Sequence, residues 1–136
     1  MNAPHPLSVR VYYEDTDFSG VVYHAAYLRF MERGRTEYLR GLGIAQIEMH
    51  QTSGFGFAVR HMAIDFRASA RMDDLLIVQT ELTEIGGASL HMRQTILRYG
   101  QCLVTAEVKI AGVIAGKAAR LPPDLRAKLP SLATAR

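Results

Sequence analysis

Residues Tyr23–Leu42 read YHAAYLRFMERGRTEYLRGL, and this stretch decides the fold. Tyr27, Phe30, Met31, Gly34, Tyr38 and Leu42 recur at spacings of three and four, the period of a helix with one apolar side. Arg29, Glu32, Arg33, Thr36, Glu37 and Arg40 fill the other side, with Arg33 and Glu37 placed for an i,i+4 ion pair. Such a helix is about 28 Å long, enough to cross a small domain. Gly41 and Gly43 close it. Gly34 lies on the apolar side. A mid-helix glycine costs up to about 1 kcal/mol against alanine, so its presence points to close packing against another backbone.

Outward from the helix, Ser8–Tyr13 alternates, with Val9, Val11 and Tyr13 on one side, and predicts a short strand. Glu14–Gly20 is turn chemistry. After the helix, Ile44–His50 predicts another helical turn or two, and Thr52, Ser53, Gly54 and Gly56 a loop. The chain then reads as strands over Phe57–Ala68, Leu75–Ile85, Ser89–Tyr99 and Leu103–Ile114. They are rich in β-branched and aromatic residues and are separated by Met72-Asp73-Asp74, Gly86-Gly87 and Gly100-Gln101. Links this short require mostly antiparallel pairing. Pro122-Pro123 opens a final short helix over Asp124–Leu129, followed by a frayed tail. One early strand, one long helix and four long antiparallel strands make an α+β domain. No other element can cover the sheet's inner face, so a curved sheet wraps a single central helix.

The chain has 136 residues, the size of one domain, with its core at about 8–116 and a short helix and tail over 117–136. A composition of 49% hydrophobic and 21% charged residues excludes a disordered, collagen-like or mucin-like chain. A net charge of +3 gives little support to nucleic-acid binding. Cys102 is the one cysteine; it cannot form an internal disulfide, and no Cys/His spacing suits zinc. Met1-Asn2-Ala3-Pro4-His5-Pro6 lacks the basic and apolar regions of a secretory signal. Leu75–Val78 and Ile110–Ala115, the longest apolar stretches, fall far short of the ~20 residues that span a bilayer. The expectation is a cytoplasmic protein without stable membrane insertion or nucleic-acid partners.

The densest polar cluster is Tyr13-Glu14-Asp15-Thr16-Asp17-Phe18-Ser19-Gly20, which runs through Val21-Val22-Tyr23-His24 into the helix. A helix N-terminus presents unpaired N–H groups and about half a positive charge, which can polarise a carbonyl. A carboxylate facing it across a bound acyl group can attack that carbonyl or deprotonate water. Two other readings stand beside this one. Asp and Ser before a helix serve as caps. Glu14, Asp15 and Asp17 could also bind Mg²⁺ or Ca²⁺, although the run lacks the alternating ligand pattern of a calcium loop.

The run from Tyr12 to His24, with Tyr27 and Glu32-Arg33-x-Arg35-Thr36-Glu37, resembles the hotdog-fold acyl-CoA thioesterases of the 4-hydroxybenzoyl-CoA thioesterase superfamily, and most closely their YbgC-type, Tol-Pal-associated branch. The likeness extends through Val59-Arg60-x-Met62, Ala70-Arg71-x-Asp73-Asp74-Leu75 and Ala106-Glu107-Val108. The resemblance implies hydrolysis of acyl-CoA, or acyl-carrier-protein, thioesters without metal or cofactor. It implies Asp17 as the catalytic carboxylate and His24 at the helix start, where its backbone N–H polarises the thioester carbonyl and its side chain can assist. It places Gly20, Val22, Tyr23 and Tyr27 against the substrate and makes Asp15 structural. It also implies edge-to-edge strand pairing into a homodimer or homotetramer with the active site at the dimer interface. The chain departs from the family after Ile110, where Ala111–Gly116 lacks an Asp-containing turn, and at Phe18-Ser19, where smaller residues are usual. An acyl-CoA or acyl-carrier-protein binding module and an enoyl-CoA hydratase or dehydratase are the alternatives, since fold alone does not give the reaction.

The remaining candidates read as structural. His61 and His91 lie in strands, His5 and His50 in loops, and Cys102 beside a hairpin turn, where it serves packing. Arg60, Arg67, Arg71, Arg93 and Arg98 are spread over the strands. Lys117, Arg120, Arg126, Lys128 and Arg136 form a late basic segment. Any of these could meet the phosphates of coenzyme A or an acidic carrier protein.

Overall fold

In the computed structural model, which describes residues 4–132, the stretch quoted above forms α1, His24–Gly41. Its C-terminus is closed by Gly43 at φ +84°, with the Gly43 N–H on the Arg40 carbonyl (2.9 Å) and the Ile44 N–H on the Leu39 carbonyl (3.0 Å). This is a Schellman motif, and it needs a residue that tolerates a left-handed backbone. Glu37 pairs with Arg40 at 3.2 Å rather than with Arg33, so the surface ion pair sits one turn later than its spacing suggested. A short helix α2, Gln46–Ser53, follows and takes Thr52 and Ser53 out of the expected loop.

The strands are β1 (His5–Arg10), β2 (Gly56–Phe66), β3 (Leu75–Ile85), β4 (Ser89–Arg98) and β5 (Gln101–Ile114), all antiparallel in the order β1-β3-β4-β5-β2. A two-residue β6, Lys117–Ala118, folds back on β5 through Ala115 and Gly116, both at positive φ. The last helix, α3, spans Pro123–Lys128. The expected tail from 133 onward, with Arg136, and residues 1–3 lie outside the described residues.

β1 lies three residues earlier than its alternation predicted, which puts His5 in a strand against Tyr38 instead of in a loop. Val9 and Val11 are buried as expected, but Tyr13 is exposed. The cause is local: a 3₁₀ turn over Tyr13–Asp15 rotates the chain off the sheet. His50 likewise belongs to α2 and not to a loop.

Leu90, Met92, Gln94 and Ile96 of β4 face inward and are fully buried, with Leu76, Val78, Thr80 and Leu82 of β3 beside them. Against this face lies the apolar side of α1, with Ala26, Tyr27, Phe30, Met31, Gly34 and Tyr38. Two of the buried strand residues are polar. Gln94 Nε2 donates to the Met31 carbonyl (2.9 Å) and to Thr80 Oγ1 (2.8 Å), while its Oε1 accepts from Arg35 Nη1 (2.9 Å). Gly34 permits this approach. A Cβ there would lie 2.8 Å from Val78 Cγ1 and 2.9 Å from Thr80 Oγ1, closer than real contacts allow. One long helix inside a curled antiparallel sheet is the hotdog arrangement.

Gly34→Ala therefore tests the close approach. Alanine favours an isolated helix by about 1 kcal/mol. Here the added methyl must push α1 off β3, and we expect a net destabilisation of about 1–3 kcal/mol in denaturant unfolding, the cost of overpacking. An unchanged or raised stability would show that the helix has room to spare.

Candidate active site

Thr16–Val22 forms a tight hairpin rather than an irregular turn. Thr16 and Val22 make an antiparallel bridge, the Asp17 N–H donates to the Val21 carbonyl (2.9 Å), and the Gly20 N–H donates to the Asp17 carbonyl (3.0 Å). Gly20 sits at φ +87°, the left-handed position that a three-residue hairpin loop demands. The Asp17 carboxylate is exposed and accepts from the Ser19 N–H (2.9 Å) and Ser19 Oγ (2.6 Å). These bonds, the hydroxyl first, hold its pKa below the ordinary carboxylate value. Asp17 is thus ionised and directionally fixed.

Asp17 does not cap α1. The N-cap residue is Tyr23, and among the described residues no side chain caps the first turn of the helix. The capping reading of the acidic run is thereby corrected: the hairpin separates Asp17 from the helix start and turns its carboxylate to Ser19 instead. Asp15, two residues earlier, does different work. It is buried, accepts the Tyr12 N–H at 2.9 Å and lies 3.6 Å from Arg29, whose Nη1 donates to Tyr23 Oη at 3.2 Å. The two carboxylates therefore face different partners, and among the described residues no three His, Cys, Asp or Glu side chains converge as metal ligands.

Asp17, Val22, Tyr23, His24 and Tyr27 line one cavity of about 270 Å³. Gly20 is not part of the lining; it shapes the hairpin from outside. His24 is the first residue of α1, so its peptide N–H belongs to the turn that has no intrahelical acceptor. Tyr27 is buried, and its hydroxyl accepts the Ala70 N–H at 2.9 Å; burial raises its pKa above the usual tyrosine value. Tyr27 is thus a wall that ties α1 to the 67–70 segment, helped by the Val22 N–H on the Ala70 carbonyl (2.9 Å).

The remaining wall comes from the end of β2 and the segment after it: Phe66, Arg67, Ala68 and Ser69. The Phe66 ring lies 4.4 Å from the His24 imidazole and 5.8 Å from Tyr27. Phe66 is not among the residues the sequence singled out. Its signal was available in the alternation of β2, which puts Met62, Ile64 and Phe66 on one side, but nothing local ties that strand end to the helix start 42 residues earlier.

The other candidates lie elsewhere. His61 and His91 line an outer-face cavity with Arg60 and Lys109. Arg93 is engaged by Glu107 (2.9 Å), and Arg98 by Asp74 (2.8 Å). Arg126 and Lys128 donate to the Gly86 and Gly43 carbonyls (both 2.9 Å), so these two residues of the late basic segment anchor α3. Among the described residues no helix is long and apolar enough to cross a membrane.

Comparison with known proteins identifies the family. The family model described as a thioesterase-like superfamily matches residues 11–129. The acyl-CoA thioesterase YbgC of Haemophilus influenzae is 50% identical over 109 residues, 80% of each chain. The acyl-CoA thioester hydrolase YbgC of Escherichia coli is 46% identical over 106 residues, 77% of this chain and 78% of its own. The crystal structure of a probable thioesterase from Bartonella henselae superposes with a TM-score of 0.85 at 46% identity, covering 88% of this chain and 100% of that one. A shared sequence and a shared fold place this chain in the thioesterase-like superfamily, in its YbgC-type branch.

Proposed function

We propose that the protein hydrolyses acyl-CoA thioesters, with Asp17 as the reacting carboxylate. The observation that carries this reading is the single cavity in which Asp17 and the uncapped start of α1 meet. A thioester carbonyl seated between them directs its oxygen to the first-turn N–H groups at His24. Those groups are worth most as negative charge develops on that oxygen. Asp17 then attacks the carbonyl carbon, expelling the coenzyme thiolate and leaving an acyl anhydride for water to open, or it takes a proton from the attacking water. Single turnover in ¹⁸O-water separates the two routes, because only the anhydride route can place the label in Asp17. Tyr23 and Tyr27 form the walls, and the Phe66 ring fixes the face of the His24 imidazole.

Replacement of Asp17 by Asn removes charge and keeps shape. Thioester hydrolysis should fall by about 10²-fold or more, the scale of a lost acid–base group. The melting temperature should move little, because the amide oxygen can still accept the Ser19 bonds. Asp15→Asn is the control; it should cost stability through Arg29 and Tyr12 while sparing most of the activity. A fully active, well-folded Asp17→Asn enzyme would remove Asp17 from the reaction.

The reacting form of Asp17 is the anion, and its folded pKa is depressed. Activity is therefore held above that pKa and lost as pH falls through it. Ser19→Ala removes the largest lowering contribution, so the acid limb of the kcat/KM profile should move to higher pH. An acid limb that stays in place would assign it to another group.

The active form is proposed to be a homodimer at minimum and a homotetramer when fully assembled. Among the described residues both sheet edges, β1 and β2, lack a further strand. β1 is six residues long and carries Pro6, which blunts pairing, whereas β2 has eleven residues and ends in the cavity wall. Pairing along β2 would set a second copy beside each site. Sedimentation should return a dimer or larger; a monomer with full activity would overturn the assembly.

A further inference from the structure

Two consecutive peptide units after β2 each have one end on the Asp17 site and the other on an ion pair outside it. In the peptide joining Ser69 to Ala70, the N–H donates to Tyr27 Oη (2.9 Å) and the carbonyl accepts from Arg98 Nη1 (3.1 Å). In the peptide joining Ala70 to Arg71, the carbonyl accepts the Val22 N–H (2.9 Å) and the N–H donates to Asp74 Oδ2 (2.9 Å). Arg98 Nη1 also reaches that same Asp74 Oδ2, at 2.8 Å. Tyr27 is the fourth residue of α1, and Val22 ends the hairpin that carries Asp17. The helix start and the hairpin are therefore joined through Ala70, which Arg98 and Asp74 hold from the far side.

Neither Arg98 nor Asp74 is part of the lining of the Asp17 cavity, so the pair acts on the site through these two peptides. Arg98 is the last residue of β4 and Asp74 the residue before β3, two adjacent interior strands, so the anchor belongs to the middle of the sheet. The two side chains are only 23% and 21% exposed, which limits screening by solvent and salt. Burial opposes ionisation of Asp74, but the Arg71 N–H and then Arg98 outweigh it and hold the carboxyl below its ordinary range. Arg98 Nη2 meets Gln101 Oε1 at 3.2 Å, which fixes the plane of the guanidinium. We propose that Arg98 and Asp74 are positioning residues for the hydrolysis: through the peptides on either side of Ala70, the pair sets the spacing between the Asp17 hairpin and the start of α1. This rests on the thioesterase reading, in which the carboxylate and the first-turn N–H groups must stand at one fixed separation. A charged anchor on the far end of each peptide also strengthens the bonds that the near ends make to Tyr27 and Val22.

Amide hydrogen exchange on the ligand-free protein and steady-state kinetics with the fastest-cleaved member of a straight-chain acyl-CoA series test the pair together. In Arg98→Met the Val22 and Ala70 amides should exchange at least about tenfold faster, while amides at the centre of β4 keep their protection. Its kcat should fall by about 10²-fold with KM little moved, the scale of a small misplacement in the transition state. An ion pair that serves stability alone predicts a lower melting temperature with kcat unchanged. Arg98→Lys keeps a charged donor for Ser69 and Asp74 and should recover most of the lost kcat. Tyr27→Phe cuts the tether to α1, so its loss and that of Arg98→Met should combine to less than their product. If Arg98→Met fails to fold, Asp74→Asn, which keeps an acceptor for Arg71 and removes the charge, should show the same two changes in smaller measure. Unmoved exchange at Val22 and Ala70, an unchanged kcat, or losses that multiply in full with Tyr27→Phe overturn the proposal. Hydrolysis by the unaltered protein with exchange unmoved in the variants sinks the positioning role and leaves the thioesterase reading. No hydrolysis of any acyl-CoA, with faster exchange in the variants, sinks the thioesterase reading and keeps the pair as the anchor of Ala70.

Discussion

Everything in this molecule depends on how closely α1 lies on the sheet. At Gly34 the helix backbone comes within reach of side chains from β3 and β4, and Gln94 answers by bonding the Met31 carbonyl and Thr80 at once. A polar residue in the middle of a core strand costs free energy unless its groups are paired. Here the pairing runs across the helix–sheet boundary, so the network fixes the helix in both rotation and height. An all-apolar contact would favour burial without choosing one register so sharply. The helix is the ruler for the rest. Its first turn lines the cavity that holds Asp17, and its C-terminal half lines a separate one beside the start of β2.

The site at the first end is assembled from pieces that each solve a local problem. The hairpin at 16–22 needs a left-handed residue, and Gly20 supplies it. The same hairpin closes Asp17 onto Ser19, which keeps the carboxylate ionised and aimed while it stays in water. Asp15 is buried and turned the other way, linked through the exposed Arg29 to Tyr23 at the helix start. Two aspartates two residues apart thus divide the labour. The buried one ties the Tyr12 backbone, and the exposed one stays open to the cavity.

Most of the fold was legible because its signals are local. The 3.6 period of α1, the alternation in β3 and β4 and the glycine turns each speak for themselves, and Leu75–Ile85 stands where the pattern put it. Boundaries slipped where a tertiary contact or a side chain reaching back to the nearby backbone decides them. β1 begins at His5 because it pairs with Thr80, and Tyr13 leaves the strand because Asp15 captures the Tyr12 backbone. The acidic run marked a candidate carboxylate, but local chemistry alone left a cap and a catalyst both open; the hairpin between Asp17 and Tyr23 removes the cap. Phe66 and Ser69 were invisible for a different reason. They join the site through the β2–β5 pairing and the curl of the sheet, neither of which leaves a trace near residue 24. Gln94 and Arg35 share that fate, since a polar residue on a buried face declares itself only once its partner is known.

The β2 edge joins these threads. Both cavities open beside it, one at Phe66–Ser69 and one at Phe57–Val59, and α1 runs between them in the opposite direction. An antiparallel copy paired on that edge would bring the Phe57 end of one protomer toward the Phe66 end of the other. An open strand edge is a hazard that proteins usually blunt, and β2 instead leaves Val59 and Phe66 partly exposed along it. The exposure is tolerable if the edge is covered in the working state. Assembly and substrate enclosure would then become one event: the same backbone pairing that satisfies the β2 edge would exclude water from the Asp17 cavity and strengthen the polarising effect of the helix start there.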